Sequence, residues 1–202
     1  MKKYIFLAIS IICFSCKAQI YPMNQDYLNY LDNNNYIKDT NNDLNKFEGI
    51  WKWTSPTNTN TYFEVHFFKV LNWKYPSPKF NYYMDHIFGN YKYVENGVEV
   101  TNTLNRTNYN STIFGQSPII LSNCFAPLFK DLNIIMRDVA KNNKNCEAEL
   151  SIINLNSTTL TATWKMIERG DQIRIRYNGD NVTTPLAPVG FSIPTNIVLT
   201  KQ

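Results

Sequence analysis

The chain has 202 residues, 44% of them apolar and 14% aromatic, enough for one domain that buries about 70% of its unfolded surface and too few for two comfortable ones. Its formal charge of +4 comes from 20 basic and 16 acidic residues with no basic run, which excludes a nucleic-acid face, since that needs clustered cations. Two histidines, and the absence of Gly-x-Ser-x-Gly, His-Glu-x-x-His and a phosphate-cradling glycine loop, argue against an enzyme, and no cofactor or metal is implied.

Residues 1–15 read as an export signal: Met1-Lys2-Lys3, then an apolar run from Tyr4 to Phe14. That run of about 11 residues is too short to span a bilayer core about 30 Å thick. Ser15-Cys16 resembles a bacterial lipobox, which implies that the Cys16 thiol is acylated and becomes the new N-terminus. Two or three acyl chains would hold the protein stably on a membrane, where a single chain is marginal. The implied location is the cell envelope, anchored to the outer membrane. Ordinary cleavage after Ala18 is the alternative and would give a secreted or periplasmic soluble protein. Lys2 and Lys3 leave with the signal on either route, which lowers the formal charge by two.

Residues 16–45, with Asn33-Asn34-Asn35 and Asn41-Asn42, read as a lipidated polar tether. Tyr27, Leu28, Tyr30, Leu31 and Tyr36 are the side chains in it that could pack as a short plug instead. A β domain follows over 46–202. In Lys46 to Thr54, Phe47, Gly49, Trp51 and Trp53 share one strand face opposite Glu48, Lys52 and Thr54. Gly49 leaves room for another segment to approach the neighbouring indole.

Further strand signals come in sequence. Thr61 to Val70 puts Phe63, Val65 and Phe67 on one face, and its Phe67-Phe68 doublet predicts a bulge. Phe80 to Val94 is followed by Asn96-Gly97, the strongest hairpin signal in the chain. Ser111 to Ser122 comes next. Leu132 to Val139 is read as a strand, although Leu128, Leu132, Ile135, Met136 and Val139 also fit one helical face. Ala148 to Ile152, Thr158 to Met166, Gln172 to Tyr177 and Phe191 to Thr200 complete the set, with Pro194 confined to an edge, a bulge or a strand start. Eight to ten strands joined by short turns predict an all-β fold, an antiparallel up-and-down meander closing into a barrel, with a β-sandwich as the alternative.

Phe47-x-Gly49-x-Trp51 behind an export signal resembles the opening of lipocalin-like (calycin-type) barrels. That resemblance implies an indole across the closed end and a late-strand arginine packed over it, for which Arg174 and Arg176 are the candidates. The whole mature chain is also similar to small bacterial lipoproteins of a family of unknown function, through the same opening and the ending Ile193-Pro194-Thr195-Asn196-Ile197-Val198-Leu199-Thr200. No activity follows from that similarity.

Binding is the remaining class. One reading is a barrel whose interior, lined by Trp51, Phe63, Val65, Phe67, Tyr91, Tyr93 and Trp164, holds a small apolar ligand; the same rings could equally fill the barrel as core. Another is a surface module that recognises glycan or protein through Trp73, Tyr75, Tyr82 and Tyr83 around Pro76-Ser77-Pro78. A structural envelope protein is the third, and no protein partner can be read. Asp85-His86 is tempting as an acid–base couple, but strand neighbours point to opposite faces. His66 is expected to face solvent beside Glu64, and Glu147 and Glu149 to form a solvated edge. Cys124 and Cys146 favour a disulfide in an oxidising compartment, yet an intervening strand would hold them about 25 Å apart, so pairing stays open.

Overall fold

Residues 19–23, 27–75, 79–106, 118–123, 130–167 and 190–202 are described by a computed structural model. Apolar–polar alternation becomes strand at every described segment that carries it. The strands are β1 (Ile20–Pro22), β2 (Asn35–Lys38), β3 (Gly49–Thr54), β4 (Tyr62–Lys74), β5 (Tyr82–Glu95), β6 (Val98–Asn102), β7 (Ile119–Asn123), β8 (Asp131–Asp138), β9 (Lys144–Ile152), β10 (Thr161–Ile167) and β11 (Asn196–Lys201). Among the described residues there is no α-helix, only 3-10 turns at Tyr27–Tyr30, Asp43–Lys46 and Val139–Lys141.

All eleven strands belong to one sheet, in the order β1-β2-β5-β4-β3-β11-β10-β9-β8-β7, with β6 pairing β5. From β3 onward every pairing is antiparallel, between neighbours in sequence, between β11 and β3, or between β5 and β7. β5 organises the rest. β4 lies along one of its edges, and on the other β2 meets Tyr82–Met84, β7 meets Phe88 and Gly89, and β6 meets Lys92–Glu95. With partners on both edges and cover on both faces, its residues are buried from Met84 to Tyr91.

The all-β class is as expected, but the strictly antiparallel meander is not. β1 pairs β2, and β2 pairs β5, in parallel, so the sheet is mixed. A parallel pair needs a long crossover, and the chain between β2 and β5 supplies one by running through β3 and β4 first. The same pairings correct the polar tether expected over 16–45: from residue 19 its described part belongs to the sheet. Met23, Tyr27, Ile37 and Leu44 are buried in the main core, with Tyr21, Tyr30 and Leu31 packed against it. Polar composition misled here because the Asn residues supply turns: Asn33, Asn34 and Asn42 all sit at positive φ.

Two local readings are also resolved. The Phe67-Phe68 doublet is not a bulge; Phe67 and Phe68 pair regularly with Gly89 and Phe88, and the register slips later, between Val70 and Trp73, with Asn72 at positive φ. Phe68 is half-buried against the core cluster and stacks on buried Phe88, ring centroids 6.2 Å apart. Asp131–Asp138 is a strand, since its even residues are buried and its partner β9 matches it for eight pairs. Asn96 and Gly97 both have positive φ, as a two-residue hairpin requires, and Pro194 falls just before β11. Of the strand expected from Ser111 to Ser122, the described part is β7, and the one expected from Gln172 to Tyr177 lies outside the described residues.

Candidate functional site

The opening strand builds its surroundings as its spacing suggests. Trp51 is wholly buried, and its Nε1–H donates to the carbonyl of Phe47 at 2.8 Å. Gly49 has φ of +117°, and a Cβ there would meet Cε of Lys201 at 3.2 Å, so the glycine is what lets the end of β11 approach. Lys201 Nζ donates to the carbonyl of Lys46 at 3.0 Å and lies 5.9 Å from the Trp51 ring centroid. Burial lowers the Lys201 pKa, against a raising effect of Glu48. Lys201 is thus a late-strand cation beside the indole; Arg174 and Arg176, the candidates for packing over it, lie outside the described residues. Lys201, the last residue of β11, was missed because only arginines were considered beside the indole.

All seven residues expected in the interior, Trp51, Phe63, Val65, Phe67, Tyr91, Tyr93 and Trp164, are buried in one core cluster. Phe63 sits 5.3 Å from Trp164 and 6.0 Å from Tyr91, ring centroid to centroid. Tyr91 OH donates to the Arg137 carbonyl at 2.8 Å and accepts from the Val139 N–H at 3.0 Å, and burial pushes its pKa up to about 12. Trp164 Nε1 has no hydrogen-bond partner among the described residues.

The four expected surface aromatics are corrected. Trp73 and Tyr82 are buried, and Tyr75 and Tyr83 are half-buried. Trp73 meets Tyr75, His86 and Phe88 at 5.8, 4.9 and 5.2 Å, and Tyr75 stacks on Tyr82 at 5.0 Å. The reason lies in β2, which pairs Asn35, Tyr36 and Ile37 with Tyr82, Tyr83 and Met84. The segment read as a tether and the rings read as a free patch thus pack in one unit.

Asp85 and His86 do not form a couple. Asp85 accepts from Tyr36 OH at 2.5 Å and from the backbone N–H groups of Asp39 and Asn72 at 3.0 Å each, so both its oxygens hold the N-terminal segment to the sheet. Burial first, and Asp85 second, raise the Tyr36 pKa. His86 points the other way, buried beside Trp73, its Nδ1–H donating to the Ile87 carbonyl at 2.9 Å, and burial lowers its pKa to about 4. Asp39 is a second anchor: its carboxylate accepts from Lys69 Nζ at 2.8 Å and from the N–H groups of Asp43 and Leu44. This buried polar cluster was not foreseen, because Asp39 and Lys69 are 30 residues apart and carry no motif.

The lesser candidates fall as follows. His66 is part-exposed and pairs with Glu64 on the outer face of β4, and Glu147 and Glu149 lie half-buried on the outer face of β9. Cys146 is buried opposite Met136, its Sγ donating to the Lys144 carbonyl at 3.3 Å, while Cys124 and Cys16 lie outside the described residues. Among the described residues no three metal-ligating side chains converge, and no helix is long and apolar enough to cross a membrane.

A family model described as a family of unknown function (DUF6705) matches residues 1–202. The chain belongs to that family. No curated protein and no solved structure matches it. DUF6705 membership accordingly carries no activity to this chain, and any function has to be argued from the geometry above.

Proposed function

We propose that this DUF6705 protein is an exported lipoprotein, acylated at Cys16, whose β domain works at the cell envelope as a non-catalytic module with a packed aromatic core. The observation that carries this reading is the complete coverage of Trp51, Phe63, Val65, Tyr91 and Trp164 by other protein atoms, which leaves the rings filling the interior instead of lining a chamber. The paired ladders from β3 to β11, together with the two-residue contact of Phe88 and Gly89 with β7, support closure of eight strands into a barrel. Gly89 supports it too, since a Cβ there would meet the His66 carbonyl at 3.1 Å and Ile119 Cβ at 3.2 Å. The absence of catalysis is supported by the commitment of Asp85 to structural donors and of His86 to the ring cluster.

One observation favours a second reading, a small apolar ligand in the interior: the Trp164 indole N–H, which has no partner among the described residues, would welcome an acceptor. Native mass spectrometry of the protein extracted gently from membranes separates the two. The expected mass is that of the acylated chain alone. A reproducible extra mass, removed by organic extraction and missing from Trp164→Phe, would replace the packed-core reading with the ligand one.

A further inference from the structure

Resting on acylation at Cys16, we propose that the corner of the sheet formed by β1, β2 and the described residues 71–75 and 79–83 at the adjoining end of the β4–β5 ladder is a second membrane contact, seated on the lipid headgroups beside the anchor. Covalent geometry sets the distance. Gln19 is already tied to the sheet, its carbonyl accepting from the Tyr36 N–H at 2.9 Å, so only three Cα–Cα steps, about 11 Å at full extension, separate the acylated residue from the fold. The headgroup layer is itself roughly 5 to 8 Å thick. A domain leashed this closely cannot stand away from the surface, and its nearest face must be compatible with it.

That face has interfacial chemistry. Ile20, Tyr36, Tyr83 and Lys74 form one row of register partners across β1, β2, β5 and β4, spanning about 14 Å. Ile20 is 59% exposed, Leu71 at the register slip of β4 is 63% exposed, and Phe80, two residues before β5, is 36% exposed. Lys74 Nζ lies 5.9 Å from the Tyr83 ring and Lys79 Nζ 5.3 Å from the Phe80 ring, which places each ammonium next to an aromatic body. Within the described residues of 19–38, 71–75 and 79–83 the charged side chains are Lys38, Lys74 and Lys79 against Asp32 alone. Apolar and aromatic residues interleaved with lysine suit the boundary between phosphate headgroups and acyl chains. The occupant that fits is a lipid bilayer surface carrying anionic headgroups.

The test uses the mature chain from residue 16 with Cys16→Ser, so that no acyl chain contributes, and co-sedimentation with vesicles of phosphatidylethanolamine and phosphatidylglycerol. The Cys16→Ser chain should bind, and Leu71→Asn with Phe80→Asn should weaken binding about tenfold or more, one partly inserted apolar side chain being worth up to about a factor of ten. Lys74→Gln with Lys79→Gln, which leaves every apolar contact in place, should remove the salt-sensitive part. Failure of the Cys16→Ser chain to sediment, or equal binding by both double variants and the parent, would overturn the contact. Intact mass of the natural protein from membranes reads the anchor separately. Vesicle binding with an unmodified Cys16 overturns the anchor alone, and an acylated Cys16 without vesicle binding overturns the surface contact alone.

Discussion

Two buried indoles with opposite hydrogen bonding define what single residues do here. Trp51 Nε1–H is satisfied by the Phe47 carbonyl, whereas Trp164 Nε1–H has no partner among the described residues. Replacing either by phenylalanine removes similar volume, but only Trp51→Phe also strands a buried carbonyl. Trp51→Phe should therefore cost about 1 to 2 kcal/mol more than Trp164→Phe, as compared by denaturant melts. Equal costs would mean that the Trp164 indole has an acceptor after all. His86 supplies a pH dependence with a definite sign. Its folded pKa of about 4 lies below the ordinary 6.5, so between those values the unfolded chain holds more protons and stability rises with pH. The stabilisation is full above pH 6.5 and falls by up to about 3 kcal/mol as the pH drops through that window. His86→Phe should flatten the slope of melting temperature against pH between 4 and 6.5, and an unchanged slope would assign it to other groups.

At the scale of elements, β1 and β2 each pair over only three residues, too little to hold them alone, and the Asp85 and Asp39 carboxylates make up the difference. Asp85→Ala leaves Tyr36 OH and two backbone N–H groups without their acceptor. It should destabilise the protein by about 2 to 4 kcal/mol in denaturant melts, with amide exchange rising first in 35–39; Asp85→Asn should recover part of the loss. Uniform loss of protection across all strands would show instead that the segment and the rest unfold as one unit. The strands from β3 to β11 were legible because alternation, Asn-Gly and Gly-x-Trp are local signals. β1 and β2 were not, since three-residue strands in an Asn-rich stretch have no period to detect. The aromatic patch failed for a related reason: Tyr82 pairs with β2, which the sequence hides, and Trp73 packs on His86 and Phe88 across the β4–β5 ladder beyond the register slip, which strand period alone does not show.

At the scale of the whole molecule, the described strands form a single mixed sheet in which β5 also pairs with β7, and the described N-terminal segment from residue 19 is part of it. Gly89 stands where β7 reaches β5, hemmed by the Phe67 ring, the His66 carbonyl and Ile119. Gly89→Val should cost about 2 to 4 kcal/mol through overpacking and lower the protection of β7 more than that of β10; a neutral Gly89→Val would count against closure. Acylation at Cys16 would then fix this rigid body at the membrane with one corner down. Central to this fold is that the described residues of 19–45 are structure and not leash. Hydrogen–deuterium exchange of the natural protein tests it directly at Met23, Asn34, Tyr36, Asp39 and Leu44, whose N–H groups donate to Lys38, Asn81, Gln19, Asp85 and Asp39. Protection well above that of a free chain at these five amides is the expected result, and exchange at the free-chain rate would contradict it.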